Sequence, residues 1–542
     1  MLLNKFWRSK SGNLALLTGL GLPAILSAVA FAADVSTVMR AKSNLQNALD
    51  AANLASSHLG DLDITRTDAF DRYFQANIVG HGELANAQAT LTVEKGVNFI
   101  KTKAVASADV NLNFAFLFGQ NKHIVVDASA VESNNQLEVV LVLDNTGSMA
   151  GARMTALRTA TNSLLDTLEA TKSPTRQVRA SLVPFVTAVN VNGDEFDPSW
   201  IDMDGKSSTN GINFPVIEGK RPNHMALFKQ LKKTGWTDAG WNGTGWKGCV
   251  EARPGAYNIS DVAPDPARPD TLFVPYFAPD DPGDAQRPSN SYGNSPRYYN
   301  NSYLDDISDK TKLSKQDSNI LGIDLSGTAG DANKEKVAKY VAPAKELITE
   351  TGSTITVGPN RACPTPIVPL TDDFDKLRKA ASAMTEWNGS GTNVSEGLSW
   401  GMRVLSPSPP YTDAAPWKTR GVSKIVLLLT DGENVVYGAS EQATKSDYTP
   451  YGYLADGRFG SDNQTAAARN VDGWTKSVCT QLKNGGVQIY TLVLQADTAA
   501  NRTLYSACAS DPSDYYAVND PAKLPNVFLQ IANKFSRLQL TN

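Results

Sequence analysis

A chain of 542 residues is too long for one compact core, since domains usually run about 100–200 residues, so two or three folded units are expected. Hydrophobic residues make up 41% and charged residues 20%, enough apolar material to fold, which excludes a wholly disordered chain. Lys plus Arg number 51 against 55 Asp plus Glu, a net charge of −4, and a nucleic-acid partner is excluded for want of a basic excess.

Residues 1–12 carry Lys5, Arg8 and Lys10 and no acid, and read as a cytoplasmic basic flank. Residues 13–33 (NLALLTGLGLPAILSAVAFAA) carry no charge. About 20 apolar residues match the hydrocarbon thickness of a bilayer, so this stretch reads as a transmembrane helix with the basic side inside and the bulk of the chain outside. Ala30-Phe31-Ala32 also fits the small-x-small pattern of a cleavable signal peptide. Two features favour the uncleaved anchor. The apolar run exceeds the usual h-region of about 7–15 residues. Val35, Val38, Met39, Lys42, Leu45, Leu49 and Ala52 also continue one helical stripe, so residues 34–58 extend the anchor as an amphipathic helix. Either reading takes the bulk of the chain out of the cytoplasm, where disulfides persist.

Residues 59–136 change character. A short helix is expected at 66–77, followed by alternating runs (AQATLTVEKG, VASADVNLNFAF, HIVVDASAVES) that read as antiparallel strands of a small module. From 137 to 538 the pattern is strand alternating with helix. LEVVLVLD (137–144), KIVLLLTD (424–431) and VQIYTLVLQ (487–495) are continuous apolar strands, with helices expected at about 151–170, 372–385, 393–405, 463–484, 498–509 and 521–538. Such strands between helices mean an α/β fold with a doubly wound, mostly parallel sheet covered on both faces.

The rhythm is lost between about 192 and 365, a segment rich in Gly, Pro, Asn, Asp, Trp and Tyr. A structureless loop of that length is foreign to a compact domain, so it reads as an insertion stapled to its host. The four cysteines share no C-x-x-C spacing, and with only four histidines the chain offers little for a zinc cluster. Cys249 in the insertion and Cys363 at its end form the expected staple; Cys479 and Cys508, on successive helices flanking one strand, form the second pair. Trp236, Trp241 and Trp246 read as the core of the insertion, and Asp261, Asp265, Asp270, Asp280 and Asp281 as a solvated acidic face without EF-hand spacing.

Three loops carry the chemistry: Asp144-Asn145-Thr146-Gly147-Ser148 after the first apolar strand, Gly389-Ser390-Gly391-Thr392-Asn393, and Thr430-Asp431-Gly432-Glu433-Asn434 after the second. Ligand sites of open parallel sheets collect at the carboxyl ends of strands, so these loops are expected to converge. They would present the carboxylates of Asp144 and Asp431 and the hydroxyls of Thr146, Ser148 and Thr392. Hard divalent cations take such oxygens; Mg2+ wants about six at ~2.1 Å. One or two aspartates hardly quench a dication, so an open ligand position would attract a carboxylate from a partner. No histidine lies nearby as a base, and no nucleophile elbow or phosphate loop occurs. The expectation is binding rather than catalysis, with no catalytic residue and no small-molecule substrate.

D-x-T-x-S, the Thr of G-T-N and the T-D-G of a later strand together resemble the metal-ion-dependent adhesion site (MIDAS) of von Willebrand factor A domains. The familiar first motif is D-x-S-x-S; Thr146 keeps the hydroxyl and adds a methyl. The resemblance covers about 137–191 and 366–538 and implies a Rossmann-like sheet. It also implies that Thr146 and Ser148 supply hydroxyl oxygens, that Asp144 anchors the same loop directly or through water, that Thr392 approaches from the second loop, and that Asp431 holds a coordinated water. The implied ion is Mg2+, or Mn2+ or Ca2+ in its place.

The N-terminus (F-W-R-S-K-S-G-N-L-A, an apolar helix ending A-A-D, then N-L-Q-N-A-L-D-A-A-N-L-A) resembles the TadE/TadG-like assembly proteins of the bacterial Flp (tight-adherence) pilus. Large TadG-like members carry a von Willebrand A domain behind this helix. Prepilin-like members are cut after a Gly followed five residues on by Glu; here Leu17 follows Gly12, so the chain is expected to stay in the inner membrane, single-pass, with its bulk periplasmic or extracellular. These resemblances imply a non-enzymatic pilus assembly or adhesion protein whose partner, a component of the pilus machinery, offers an acidic side chain. A pilus-independent surface adhesin or matrix-binding protein is the alternative.

Overall fold

Helix α1 (Lys10–Ala55) runs unbroken through Pro23. Its Thr18–Ala55 stretch is long and apolar enough to cross a membrane. The two halves of the helix have different surroundings. Leu20, Leu22, Ile25, Leu26, Val29 and Phe31 are exposed, whereas Ala41, Leu45, Ala48, Leu49 and Ala52 are buried along one face. That spacing is the helix repeat, and it lays the second half on a partner. The partner is α2 (Asp63–Ile78), through Phe70 and Phe74, and an antiparallel sheet of β1 (Leu84–Lys95), β2 (Phe99–Val110) and β3 (Lys122–Ser133) in that order. Along β2, Thr102, Ala104, Ala106, Ala108 and Val110 point inward, and their small side chains let the helix lie close to the sheet. The computed structural model describes residues 10–57, 63–95, 99–114, 122–133, 136–174, 176–282, 299, 301–306, 320–328, 330–342, 357–389 and 391–536. Most of the basic flank at 1–12, part of the alternating NLNFAF run, Ser390 and several stretches of the insertion lie outside the described residues.

The chain divides into two compact units, 1–134 with 537–542, and 135–536. The second is built on a sheet in the order β13-β12-β10-β4-β5-β6-β7, with β8 beside β5. Its parallel part comprises β13 (Tyr515–Val518), β12 (Val487–Leu494), β10 (Val422–Thr430), β4 (Gln136–Asp144) and β5 (Gln177–Phe185). The short β6 (Val189–Asn190), β7 (Cys249–Val250) and β8 (Val368–Thr371) pair antiparallel. Every residue of Leu137–Asp144 and Ser423–Thr430 is buried. Successive side chains of a strand point to opposite faces, so both faces of the sheet are covered. Val140 and Val142 share a core with Leu398, while Val139, Leu141 and Leu143, equally buried, face the other way. Truncating any of these leucines to alanine should cost about 2–5 kcal/mol.

Chain order fixes where the helices go. From β4 the chain passes through α3 (Ala152–Ala170) to β5 on one side; from β10 it passes through α8 (Gln464–Asn484) to β12 on the other. Right-handed crossovers in opposite directions place their helices on opposite faces. The packing agrees: α3 lies against α6 (Phe374–Ala383) and α10 (Leu524–Ser536), and α8 against α7 (Val394–Leu405) and α9 (Ala499–Cys508). The winding therefore reverses between β4 and β10, which opens a crevice at their carboxyl ends.

The segment between β6 and β8 contains two short helices, α4 (His224–Thr234) and α5 (Ala332–Val341), and much irregular chain. Cys249 and Cys363 are bonded across it with Cα atoms 5.7 Å apart, and Cys479–Cys508 ties α8 to α9 at 5.2 Å. Trp236 and Trp246 are fully buried, and Phe196 packs edge-on against Trp200, Trp241 and Trp246. The acidic stretch is not a solvated face throughout. Asp280 and Asp281 are buried; Asp280 accepts from the Tyr303 and Leu304 N–H groups and from Lys339 Nζ at 2.6 Å, and Asp281 from the Asn301 N–H and the Tyr453 hydroxyl. Irregular backbone buried without a ladder must find other acceptors, and these carboxylates serve as such.

Candidate functional site

Asp144 closes β4 and Asp431 follows β10, so both stand at the crevice where the winding reverses. The pairing of Leu143 with Leu429 sets Thr430 opposite Asp144, and the Thr430 hydroxyl donates to Asp144 Oδ2 at 2.7 Å. After Asp144 the chain turns through Asn145 and Thr146 into a single 3-10 turn, Gly147–Met149, before α3 begins. Asp144 Oδ1 organises that turn by accepting from the Thr146 N–H at 2.8 Å and from its hydroxyl at 2.6 Å. Thr146 Oγ1 lies 2.9 Å from Ser148 Oγ, and Ser148 Oγ donates to Asp431 Oδ1 at 2.8 Å. Four side chains from two strand ends thus form one continuous chain of oxygens. Asp144, Thr146 and Asp431 are buried, and Ser148 is exposed, so the chain of oxygens meets solvent at Ser148.

The hydrogens in this chain do not suffice. A hydroxyl owns one hydrogen. With both carboxylates ionised, Thr146 spends its hydrogen on Asp144 and Ser148 spends its own on Asp431. The 2.9 Å contact between the two hydroxyls is then lone pair against lone pair. A proton on Asp144 or a bound cation would relieve it. Burial pushes the Asp144 carboxyl well above the usual range, and the charge of Asp431 pushes it further, against the three hydrogen bonds it accepts. Burial also raises Asp431, opposed by Ser148 and by Arg153. The donor set is all hard oxygen, the type Mg2+ and Ca2+ take. Among the described residues no three His, Cys, Asp or Glu side chains gather for a metal; the two carboxylates here are joined by hydroxyls instead.

The second loop is drawn to the first. The Trp387 N–H donates to the Asn145 carbonyl at 2.8 Å, and a Cβ on Gly147 would stand 2.0 Å from Asn388 Oδ1, so a larger residue there would require the Asn388 side chain to turn away. The second loop is also tied to the third. β9 (Gly391–Thr392) pairs with β11 (Val435–Val436), Gly391 has φ +96° with no room for a Cβ beside the Val435 carbonyl, and the Val394 N–H donates to Asn434 Oδ1 at 2.8 Å. Thr392 is buried on β9, paired with Val435. Among the described residues no hydrogen bond joins it to Asp144, Thr146, Ser148 or Asp431. Sequence reasoning left out two members of the site. Thr430 was visible as the residue before Asp431. Arg153, on the first turn of α3, donates to Asp431 Oδ2 at 2.7 Å, and only the helix phase after Ser148 hints at it.

Residues 12–57 match the family model described as putative Flp pilus-assembly TadE/G-like. No curated protein matches the chain. Among solved structures it is similar to the pilus adhesin SpaC from Lactobacillus rhamnosus GG, at 12% identity over 83% of this chain and 34% of that one, with a TM-score of 0.28. It is also similar to the vWF domain of the type V pili tip protein Mfa5 from Porphyromonas gingivalis (11% identity, 76% of this chain, 98% of that one, TM-score 0.30). A third is the pilus adhesin RrgA from Streptococcus pneumoniae (11% identity, 84% of this chain, 50% of that one, TM-score 0.29). The chain spans about a third of the length of SpaC.

Proposed function

We propose that this chain is a membrane-anchored, non-enzymatic assembly or adhesion protein of the Tad/Flp pilus, and that it grips a protein partner through a divalent ion held at the Asp144–Asp431 edge. The observation that carries this reading is the hydroxyl pair of Thr146 and Ser148 set between two carboxylates, which is short of a hydrogen when both carboxylates are ionised. The sheet order and the two-sided helices support a von Willebrand A-type, Rossmann-like domain. A bound Mg2+, or Mn2+ or Ca2+, would supply the missing positive charge and a coordination position for an acidic side chain of the partner. Thr146 and Ser148 would turn their lone pairs to it, Asp144 would hold the loop that carries them, and Asp431 and Thr392 would complete the set. The match at residues 12–57 supports pilus machinery as the source of the partner. Lys5, Arg8 and Lys10 would keep the N-terminus in the cytoplasm, with residues 135–536 outside, where both disulfides persist.

Asp144→Ala should abolish piliation or adhesion while leaving the membrane level of the protein unchanged, and a chelator should release the partner from the wild type in a pull-down. Normal pili in the variant, together with a chelator-resistant partner, would overturn the reading.

A further inference from the structure

The guanidinium of Arg153 touches three strand ends at once. Nη1 donates to the Ser148 carbonyl at 2.9 Å and to Asp431 Oδ2 at 2.7 Å, and Nε donates to Gln495 Oε1 at 2.7 Å. Gln495 follows β12 directly in a left-handed conformation, φ +58°, with its own N–H held by the Val518 carbonyl at 2.8 Å. The Asp431 side chain is 1% exposed, and Arg153 is the cation that pairs with it. A buried carboxylate without a counter-charge is costly, and the Arg153 guanidinium supplies that charge to Asp431. The contact also sits on an oxygen of the carboxylate that the proposed ion would need, and two cations sharing one small oxygen cluster repel each other.

We propose that Arg153 is a resident counter-cation that competes with a divalent ion for Asp431 and so sets the affinity of the site. This rests on the metal-binding reading above. Gln495 and the Ser148 carbonyl make the exchange feasible, because they keep the guanidinium anchored when it leaves Asp431. Arginine suits this role because its planar fork serves several acceptors in fixed directions, which a lysine ammonium does by charge alone.

The test is isothermal titration of Mn2+ into the full chain in detergent. Arg153→Gln removes the charge, and Mn2+ should bind about tenfold more tightly than to the wild type, a difference of about 1.4 kcal/mol. Arg153→Lys keeps the charge but loses the fork that reaches Gln495 and the Ser148 carbonyl, and its affinity should fall between those of the wild type and Arg153→Gln. Equal or weaker binding by Arg153→Gln overturns the proposal while leaving the metal reading intact. Binding by Arg153→Gln and not by wild type supports it; binding by neither sinks both. Should Arg153→Gln fail to fold, a structure of the Mn2+-loaded wild type decides. Arg153 Nη1 beyond hydrogen-bond distance of Asp431 Oδ2 supports the exchange, and a retained contact beside a bound ion refutes it.

Discussion

Two pairs of buried aspartates are wired in opposite ways. In the insertion, Asp280 and Asp281 spend their oxygens on backbone N–H groups, on the Tyr453 hydroxyl and on Lys339. Burial pushes Asp280 up to about 6, and the Lys339 charge pulls the other way. At the sheet edge, Asp144 and Asp431 are linked through hydroxyls, and the charge of one adds to the burial of the other in raising Asp144. Burial of acids is therefore no mark of a site. The insertion uses its carboxylates to hold irregular chain in place, whereas at the sheet edge Arg153 answers the charge of Asp431 and, among the described residues, only hydroxyls and a backbone N–H answer Asp144.

Several substitutions would break or sharpen that contrast. The largest effect should come from replacing Cys249 and Cys363 with serine. Opening a cross-link that spans 114 residues should cost about 5 kcal/mol in a urea titration, against about 3–4 for the Cys479–Cys508 pair. Next, Lys339→Met leaves Asp280 buried without its cation and should cost about 3–5 kcal/mol by the same measurement. His224, also in the insertion, is fully buried, and burial lowers its pKa from 6.5 to about 4. Above 6.5 the ring is neutral folded or unfolded; below it the unfolded chain takes up a proton that the folded chain refuses. The contribution of His224 to stability should fall as the pH drops from 6.5 towards 4, by at most about 3 kcal/mol, and it is read as the change with pH of the difference in urea stability between the wild type and His224→Asn. The smallest effect, of opposite sign, belongs to Asp144→Asn. It removes the like charge facing Asp431, keeps an acceptor for the Thr146 N–H and hydroxyl, leaves the Thr430 hydroxyl the Gly432 carbonyl to donate to, and should leave the protein without added metal as stable or about 1 kcal/mol more so. A loss as large as that of Lys339→Met would erase the contrast.

What could be read from the sequence follows from physical period. LEVVLVLD and KIVLLLTD announce strands buried on both faces because, once past Glu138 and Lys424, no polar residue interrupts their apolar runs before the terminal Asp or Thr-Asp. The alternation of VASADV announces a sheet with one covered face, and in β2 the inward set is Ala104, Ala106, Ala108 and Val110. The hydroxyls and carboxylates at 144–148 and 430–431 are visible because turn chemistry follows those runs directly. Three things carried no period. β6, β7 and β8 have two, two and four residues, too few for a pattern. Asp280 and Asp281 looked solvated because their partners, Lys339, Asn301 and Tyr453, are remote in sequence. Arg153 looked like any exposed helix residue, since its partners Asp431 and Gln495 lie 278 and 342 residues away.

The most direct measurement is a Mg2+ titration of the full chain in detergent, followed by calorimetry and by thermal melting, with Asp144→Ala and Asp431→Ala alongside. The wild type should give saturable heat and a melting temperature that climbs with Mg2+, equivalent to about 2.7 kcal/mol of added stability at a hundredfold excess over the dissociation constant, and both variants should give neither. A wild type that yields no heat and melts at the same temperature at every Mg2+ concentration would contradict the account.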